Sequence, residues 1–283
     1  MTVTTETAHV AGRAVRYRVT GDPANPPVVM LHGIARCLDD FADQHDLLDD
    51  GYRVYSIDLA GFGESDPMPG TSTLPGITDA VAEVLDELGE TRPAHLIGNS
   101  LGGAVAMLLA LRHPGRVRSL VLVDSAGFGR EVTIALRVLT LRPLGRLLLR
   151  PSRAGARRME QAIFRNRGFA TEARVERALE LARRPHGPAV MLELTRSLGT
   201  FRGVRQPWRD AVIAATAAAA VPTLVVWGTH DLILPAAHLA AAERLLPHAR
   251  THLFADTGHM PQIERAEEFA DLVRDFWAES VPG

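Results

Sequence analysis

The hexapeptide Gly98-Asn99-Ser100-Leu101-Gly102-Gly103 lies between the apolar run Ala94-His95-Leu96-Ile97 and a helical pattern over Ala104 to Leu111. A serine on a sharp strand-to-helix turn stands exposed at the end of a strand. Small residues two before and two after it, here Gly98 and Gly102, let neighbouring segments approach. A serine hydroxyl is a weak nucleophile at neutral pH, but the same position opens a helix, where the Leu101 N–H can face a developing oxyanion. Taken alone, the glycine spacing also fits a plain turn or a phosphate cradle of the dinucleotide type.

A nucleophilic serine needs a base and an acid, and both follow at strand ends. The apolar run Pro222 to Trp227 is punctuated by Gly228 and leads into Thr229-His230-Asp231. The run Thr251 to Phe254 leads into Asp256-Thr257-Gly258-His259-Met260-Pro261. In an open α/β sheet such strand ends lie along one rim, so Ser100, Asp231 and His259 can converge on one crevice. His259 is expected to take the Ser100 proton and return it to the leaving group, with Asp231 fixing the imidazole tautomer. The competing acids are Asp124, read as a strand-end residue, and Asp256, read as a turn former. His32 and His230 read as loop residues.

This order and these contexts resemble the α/β-hydrolase superfamily. Near the N-terminus, Pro27-Val28-Val29-Met30-Leu31-His32-Gly33-Ile34 is similar to the family's strand and His-Gly turn, and Asp58-Leu59-Ala60-Gly61-Phe62-Gly63-Glu64-Ser65 to its Asp-x-x-G-x-G-x-S loop. The resemblance implies an α/β fold with a mostly parallel central sheet flanked by helices. It also implies an oxyanion hole built from the N–H groups of Ile34 and Leu101, supported by the turn residues His32 and Gly33.

Composition agrees with that fold and excludes other chemistries. The chain has 283 residues, of which 46% are hydrophobic, enough for a buried sheet with helices on both faces. All 31 basic residues are arginine, so Schiff-base, pyridoxal and lysine-base chemistry are excluded. The eleven histidines are scattered without metal-ligand spacing, the glycine loops lack a Walker pattern, and a net charge of −2 gives no basic footprint for nucleic acid. Neither a metal nor a cofactor is expected. The single cysteine, Cys37, forms no intrachain disulfide and reads as a small buried hydrophobe. The opening Met1 to Thr7 has neither a basic nor an apolar region of the secretory kind, and no stretch reads as a transmembrane span, so a cytoplasmic protein is expected. Oligomeric state is left open.

Charge is unevenly distributed, and that locates an insertion. Between Arg130 and Arg209 stand eighteen arginines against six glutamates and no aspartate. The segment falls between the strand ending at Asp124 and the one starting near Val221, where the resembling family commonly inserts a helical cap. A core of residues 1–127 and 210–283 with a cap over 128–209 is therefore expected. The cap's helical patterns run Glu131 to Leu149, Arg157 to Phe164, Glu172 to Arg184 and Pro188 to Gly199, broken at Pro143, Pro151, Gly168 and Pro185. Its first helix is more apolar than a solvent-facing helix needs. Packing on the core explains that, and so does an apolar surface offered to substrate or lipid with Arg137, Arg142 and Arg146 at headgroup level.

A serine at position 100 argues against the superfamily's epoxide hydrolases and haloalkane dehalogenases, which use aspartate. The function expected is hydrolysis of a carboxylic ester of a small-to-medium apolar acyl compound through an acyl-enzyme on Ser100. The alternative is C–C bond cleavage, because the elbow and Thr223 to Gly228 look like those of meta-cleavage-product hydrolases. Two departures stand against it: Met260 replaces the tryptophan usual after the histidine, and His32-Gly33-Ile34-Ala35 replaces a glycine-rich oxyanion turn. A third possibility, of another class, is a ligand-binding receptor that retains the triad.

Overall fold

Strands buried on both faces must be apolar at every position, whereas strands at a sheet edge alternate. Both patterns occur in the computed structural model, which describes residues 5–280. The chain opens with an antiparallel hairpin of β1 (Thr5–Val10) and β2 (Arg13–Thr20), whose outer strand is largely exposed. β3 (Pro27–Leu31), β4 (Arg53–Ile57), β5 (Ala94–Asn99) and β6 (Val117–Val123) follow. After a long insertion, β7 (Gly199–Thr200) and β8 (Gly203–Val204) pair as a short ribbon, and β9 (Thr223–Gly228) and β10 (Arg250–Phe254) complete the main sheet.

The eight-stranded order is β1-β2-β4-β3-β5-β6-β9-β10, parallel from β4 onwards. Side-chain alternation sends Val29, Leu31, Leu96, Leu122 and Val225 into one core layer and Val28, Met30, Ile97, Val121 and Leu224 into the other. The helices α1 (Ala42–Leu48), α2 (Leu74–Glu87) and α3 (Leu101–Arg112) connect the first strands. α3 is buried from Leu101 to Ala110 and packs on the sheet beside α2.

The insertion carries α4 (Ile134–Leu139), α5 (Arg142–Leu148), α6 (Arg153–Ile163), α7 (Glu172–Ala182) and α8 (Gly187–Leu198). The first expected helix is thus two. Pro143 stands in the first turn of α5, where its missing N–H costs nothing, so α4 has to end before it. The helix expected from Arg157 begins four residues earlier because Ser152 caps it, its side chain accepting the Gly155 N–H. α9 (Gln206–Ala219) packs on α3, and the division expected between 209 and 210 falls inside it. α10 (Ala237–Leu245), α11 (Pro261–Glu264) and α12 (Ala266–Ser280) close the chain, with α12 covering the second core layer. Among the described residues no helix is long and apolar enough to cross a membrane.

Two buried histidines remain neutral, His45 joining α1 to the sheet and His95 joining β5 to β6. His45 places Nδ1 2.9 Å from Thr20 Oγ1 and Nε2 2.8 Å from Ser56 Oγ, and His95 places Nδ1 2.7 Å from Ser119 Oγ. Burial pushes both imidazoles down to about 3. The unfolded chain therefore binds protons that the folded chain refuses, and stability should fall as pH drops from about 6.5 toward 3. The slope should reach ~1.4 kcal/mol per pH unit for each histidine. Urea unfolding at several pH values checks this: His95→Gln should flatten the acid slope, and an unchanged slope would place the lability elsewhere.

Candidate active site

The chain leaves β5 at Asn99 and enters α3 at Leu101, so Ser100 has to reverse direction within one residue. It does so at φ 56° and ψ −114°, a conformation that costs an L-residue energy and is held by its surroundings. The Ser100 N–H donates to the Val123 carbonyl at 2.9 Å, and the Ser100 carbonyl accepts from Ala126 N–H at 3.0 Å. A Cβ at Gly98 would collide with the Gly102 carbonyl, and one at Gly102 with the Leu31 carbonyl. Both glycines are therefore required by close approach.

Asp231 lies in the loop after β9 and His259 in the loop after β10, and the structure brings them into contact. Asp231 Oδ2 lies 2.7 Å from His259 Nδ1, while Oδ1 accepts the N–H groups of Ile233 at 2.7 Å and Leu234 at 3.0 Å. A carboxylate only accepts, so Nδ1 carries the proton and Nε2 presents a lone pair. Asn99, at the end of β5, links this pair to the sheet: its Nδ2 donates to the Val123 carbonyl at 3.2 Å and to the His259 carbonyl at 3.1 Å. Ser100 and His259 are both buried, at 7% and 4% exposure.

The oxyanion candidates meet at the same place. Leu101 is the first residue of α3, where a backbone N–H has no intrahelical acceptor, and Ile34 lines the same chamber as Ser100 and Leu101. Gly33 lies directly under the elbow, since a Cβ there would sit 3.2 Å from Ser100 Cβ. His32 is buried and fixed: Nδ1 donates to the Gly33 carbonyl at 2.8 Å and Nε2 accepts the Leu59 N–H at 2.9 Å. Burial lowers its pKa, consistent with a neutral strut between two loops. Cys37 is buried, and burial pushes its thiol up, away from reactivity.

The competing residues separate clearly. Asp256 is a surface residue with φ 48°, and His230 is half-exposed with Nδ1 on Thr229 Oγ1. Asp124 is fully buried, and its ligand-type oxygen lies within 4.8 Å of those of Asp231 and His259. Its Oδ1 accepts the Gly228 N–H at 3.0 Å, while Oδ2 faces no donor. Burial, then the neighbouring Asp231 carboxylate, raise its pKa well above the usual range. Asp124 is accordingly the protonated member, held neutral beside the Asp231 carboxylate. This acid-acid contact escaped sequence reading because it joins two loops 107 residues apart.

Glu264 also escaped it. Its carboxylate accepts the N–H groups of Gly258 at 2.7 Å, Arg165 at 3.2 Å and Asn166 at 2.9 Å, and the Ile163 carbonyl accepts the His259 N–H at 2.7 Å. The histidine loop is therefore held partly by the insertion's α6.

A buried serine elbow on a parallel sheet, with an imidazole-carboxylate pair at neighbouring strand ends, defines a hydrolase of the α/β fold. The pattern of the alpha/beta hydrolase family matches residues 28–272, and the chain belongs to that family. It is 32% identical over 278 residues to a 2-hydroxymuconate semialdehyde hydrolase of Pseudomonas sp. strain CF600, covering 96% of this chain and 93% of that protein. It is 34% identical over 267 residues to a dihydrolipoyllysine-residue acetyltransferase component of an acetoin cleaving system from Cupriavidus necator, covering 94% of this chain and 67% of that protein. Among solved structures, a meta-cleavage product hydrolase from Pseudomonas fluorescens IP01 superposes with a TM-score of 0.80 at 24% identity, covering 98% of each chain, and so shares the fold.

The acid pair gives a direct test. An asparagine at position 124 is neutral and similar in shape to the protonated carboxyl, so Asp124→Asn should keep turnover within about tenfold, whereas Asp231→Asn should lose on the order of 10³-fold or more. Because the folded state holds the Asp124 proton, that residue costs stability increasingly as pH rises above the ordinary carboxyl range. The Tm difference, Asp124→Asn minus wild type, should become more positive between pH 4 and pH 8. A difference independent of pH would mean that Asp124 is ionised.

Proposed function

We propose that the protein hydrolyses a carboxylic ester of a small-to-medium apolar acyl compound, with Ser100 as nucleophile, His259 as general base and Asp231 as the acid. Ser100 Oγ attacks the ester carbonyl carbon as its proton passes to His259 Nε2. The oxyanion is received by the N–H groups of Ile34 and Leu101. The C–O bond breaks as Nε2 returns the proton to the leaving alkoxide, and water, activated by the same nitrogen, releases the acid. Asp231 Oδ2 stabilises the imidazolium at each transfer.

The observation that carries the ester reading is the lining of the Ser100 chamber. Ile34, Leu101, Ala126, Val132, Leu136, Leu198 and Leu234 supply apolar walls. Its three threonines spend their hydroxyls nearby: Thr140 donates to the Arg137 carbonyl, Thr195 to the Met191 carbonyl and Thr200 to the Gly203 carbonyl. Such walls suit an alkyl or aryl acyl group. Residues 128–209, as a lid, would exclude water from it.

The similarity to 2-hydroxymuconate semialdehyde hydrolase supports a second reading, C–C cleavage of a 2-hydroxy-6-oxo-dienoate. Such a substrate brings a carboxylate and a 2-oxygen that need donors. Among the described residues the chamber's one charged side chain is Arg137, whose Nε is engaged by the Phe201 carbonyl, and the residue after His259 is the buried Met260. That contrast supports the ester reading.

Two measurements test the order. Ser100→Ala should lower kcat by roughly 10⁴ or more, and a fluorophosphonate should label Ser100 alone. Across straight-chain aryl esters, kcat/KM should rise up to a few-fold per methylene, at ~0.8 kcal/mol per buried CH₂, and then decline once the chamber is full. Indifference to chain length beside fast cleavage of a 2-hydroxy-6-oxo-dienoate would reverse the two readings.

A further inference from the structure

Five of the large apolar side chains that stand exposed among the described residues fall within one stretch, at Ile134, Leu141, Leu144, Leu147 and Leu148. Leu147 and Leu148 are 54% and 53% exposed. A helix that packed on the core would turn these inward, yet α5 is oriented the other way. It sits on α4 and α8 through the buried Gly145, where a Cβ would press on the Leu139 carbonyl and on Leu192, so Leu147 on the opposite side and Leu144 beside it face outward, while Leu148, one turn beyond Gly145, borders a cavity with Met159 and Met191.

The same surface is cationic. From Glu131 to Glu160 the chain carries seven arginines and no acidic residue between those two glutamates. Arg142, Arg146 and Arg150 are exposed and enter no ion pair with the described residues, unlike Arg153 and Arg157, which pair with Glu172. The neighbouring ribbon extends the rim: Arg137 Nε donates to the Phe201 carbonyl with its guanidinium 5.5 Å over the exposed Phe201 ring, and Arg196 Nη2 reaches the Arg142 carbonyl.

Outward leucines bordered by unpaired arginines match an anionic bilayer surface, where acyl chains take the leucines and phosphates the guanidiniums. We propose that α4 and α5 form a docking face for anionic lipid. Val132, Leu136 and Arg137 belong both to this region and to the wall of the Ser100 chamber, so docking sets the chamber beside the lipid phase, where apolar esters are concentrated. The docking rests on the surface alone and stands whichever bond Ser100 cleaves.

The experiment is flotation of the full chain with vesicles of phosphatidylcholine containing 30% phosphatidylglycerol, against phosphatidylcholine alone, at low salt and at 0.5 M NaCl. Wild type should float with the anionic vesicles and largely detach at high salt. Leu144→Ser with Leu147→Ser should weaken binding on the order of tenfold. Arg142→Gln with Arg146→Gln should remove the preference for phosphatidylglycerol. Turnover of a soluble short-chain aryl ester, together with Tm, should match wild type in both variants, which shows that they are folded. Wild type that does not float overturns the proposal. So does self-association in sedimentation, abolished by the leucine pair, without lipid binding; the face would then be an interface between copies of the chain.

Discussion

One residue's backbone organises the rest of the molecule. Ser100 at φ 56° holds a conformation that costs an L-residue on the order of 1–3 kcal/mol, and the neighbouring strands have to supply that energy. Val123 accepts its N–H, Ala126 donates to its carbonyl, and the carbonyls of Leu31 and Gly102 lie so close that only glycine fits at positions 102 and 98. Asp124, Ala35 and Asp256 also have positive φ and stand in the loops beyond β6, β3 and β10. Strain is thus gathered along the rim where side chains must be aimed, and the apolar sheet beneath over-determines it.

What the sequence made legible were features whose cause is local. The elbow, the loop carrying Asp231 and the loop carrying His259 each combine an apolar strand with a glycine-bearing turn. The hairpin β1–β2 went unread because Thr5 to Val10 is mostly exposed and carries little apolar alternation. Asn99 and Glu264 carry no sequence signal, and Asp124 reads there only as a strand-end residue, because each takes its meaning from a partner far along the chain: the His259 carbonyl, the N–H groups of Arg165 and Asn166, and the Asp231 carboxylate. Spacing reports such contacts only after the fold has closed them.

The insertion is held to the sheet unevenly. On one side, Arg36 joins Asp40 and the buried Glu160, while Arg177 joins Asp39 and Glu64. Exposed ion pairs contribute little, but Arg36 and Glu160 are both nearly out of water, and removing either would strand a buried charge. α6 extends this anchored side to the histidine loop through Ile163. On the other side, among the described residues α4 and α5 make no ion pair to the sheet, are tied to the loop beyond β9 at Thr133, whose N–H donates to the Ile233 carbonyl at 2.8 Å, and turn leucines to solvent.

That asymmetry bears on how a site can be both rigid and accessible. The His259 imidazole lies 2.7 Å from Asp231 Oδ2, and the part of the insertion that touches its loop fixes it there through the Ile163 carbonyl. Substrate must nevertheless enter a chamber whose walls are apolar and whose nucleophile is nearly buried. The walls contributed by Val132 and Leu136 come from the less anchored side, and movement there would open the chamber without disturbing the Ile163–His259 bond. Dense charge at one edge and exposed leucine at the other are therefore two halves of one arrangement, in which the edge that holds the His259 loop is separate from the edge that walls the Ser100 chamber.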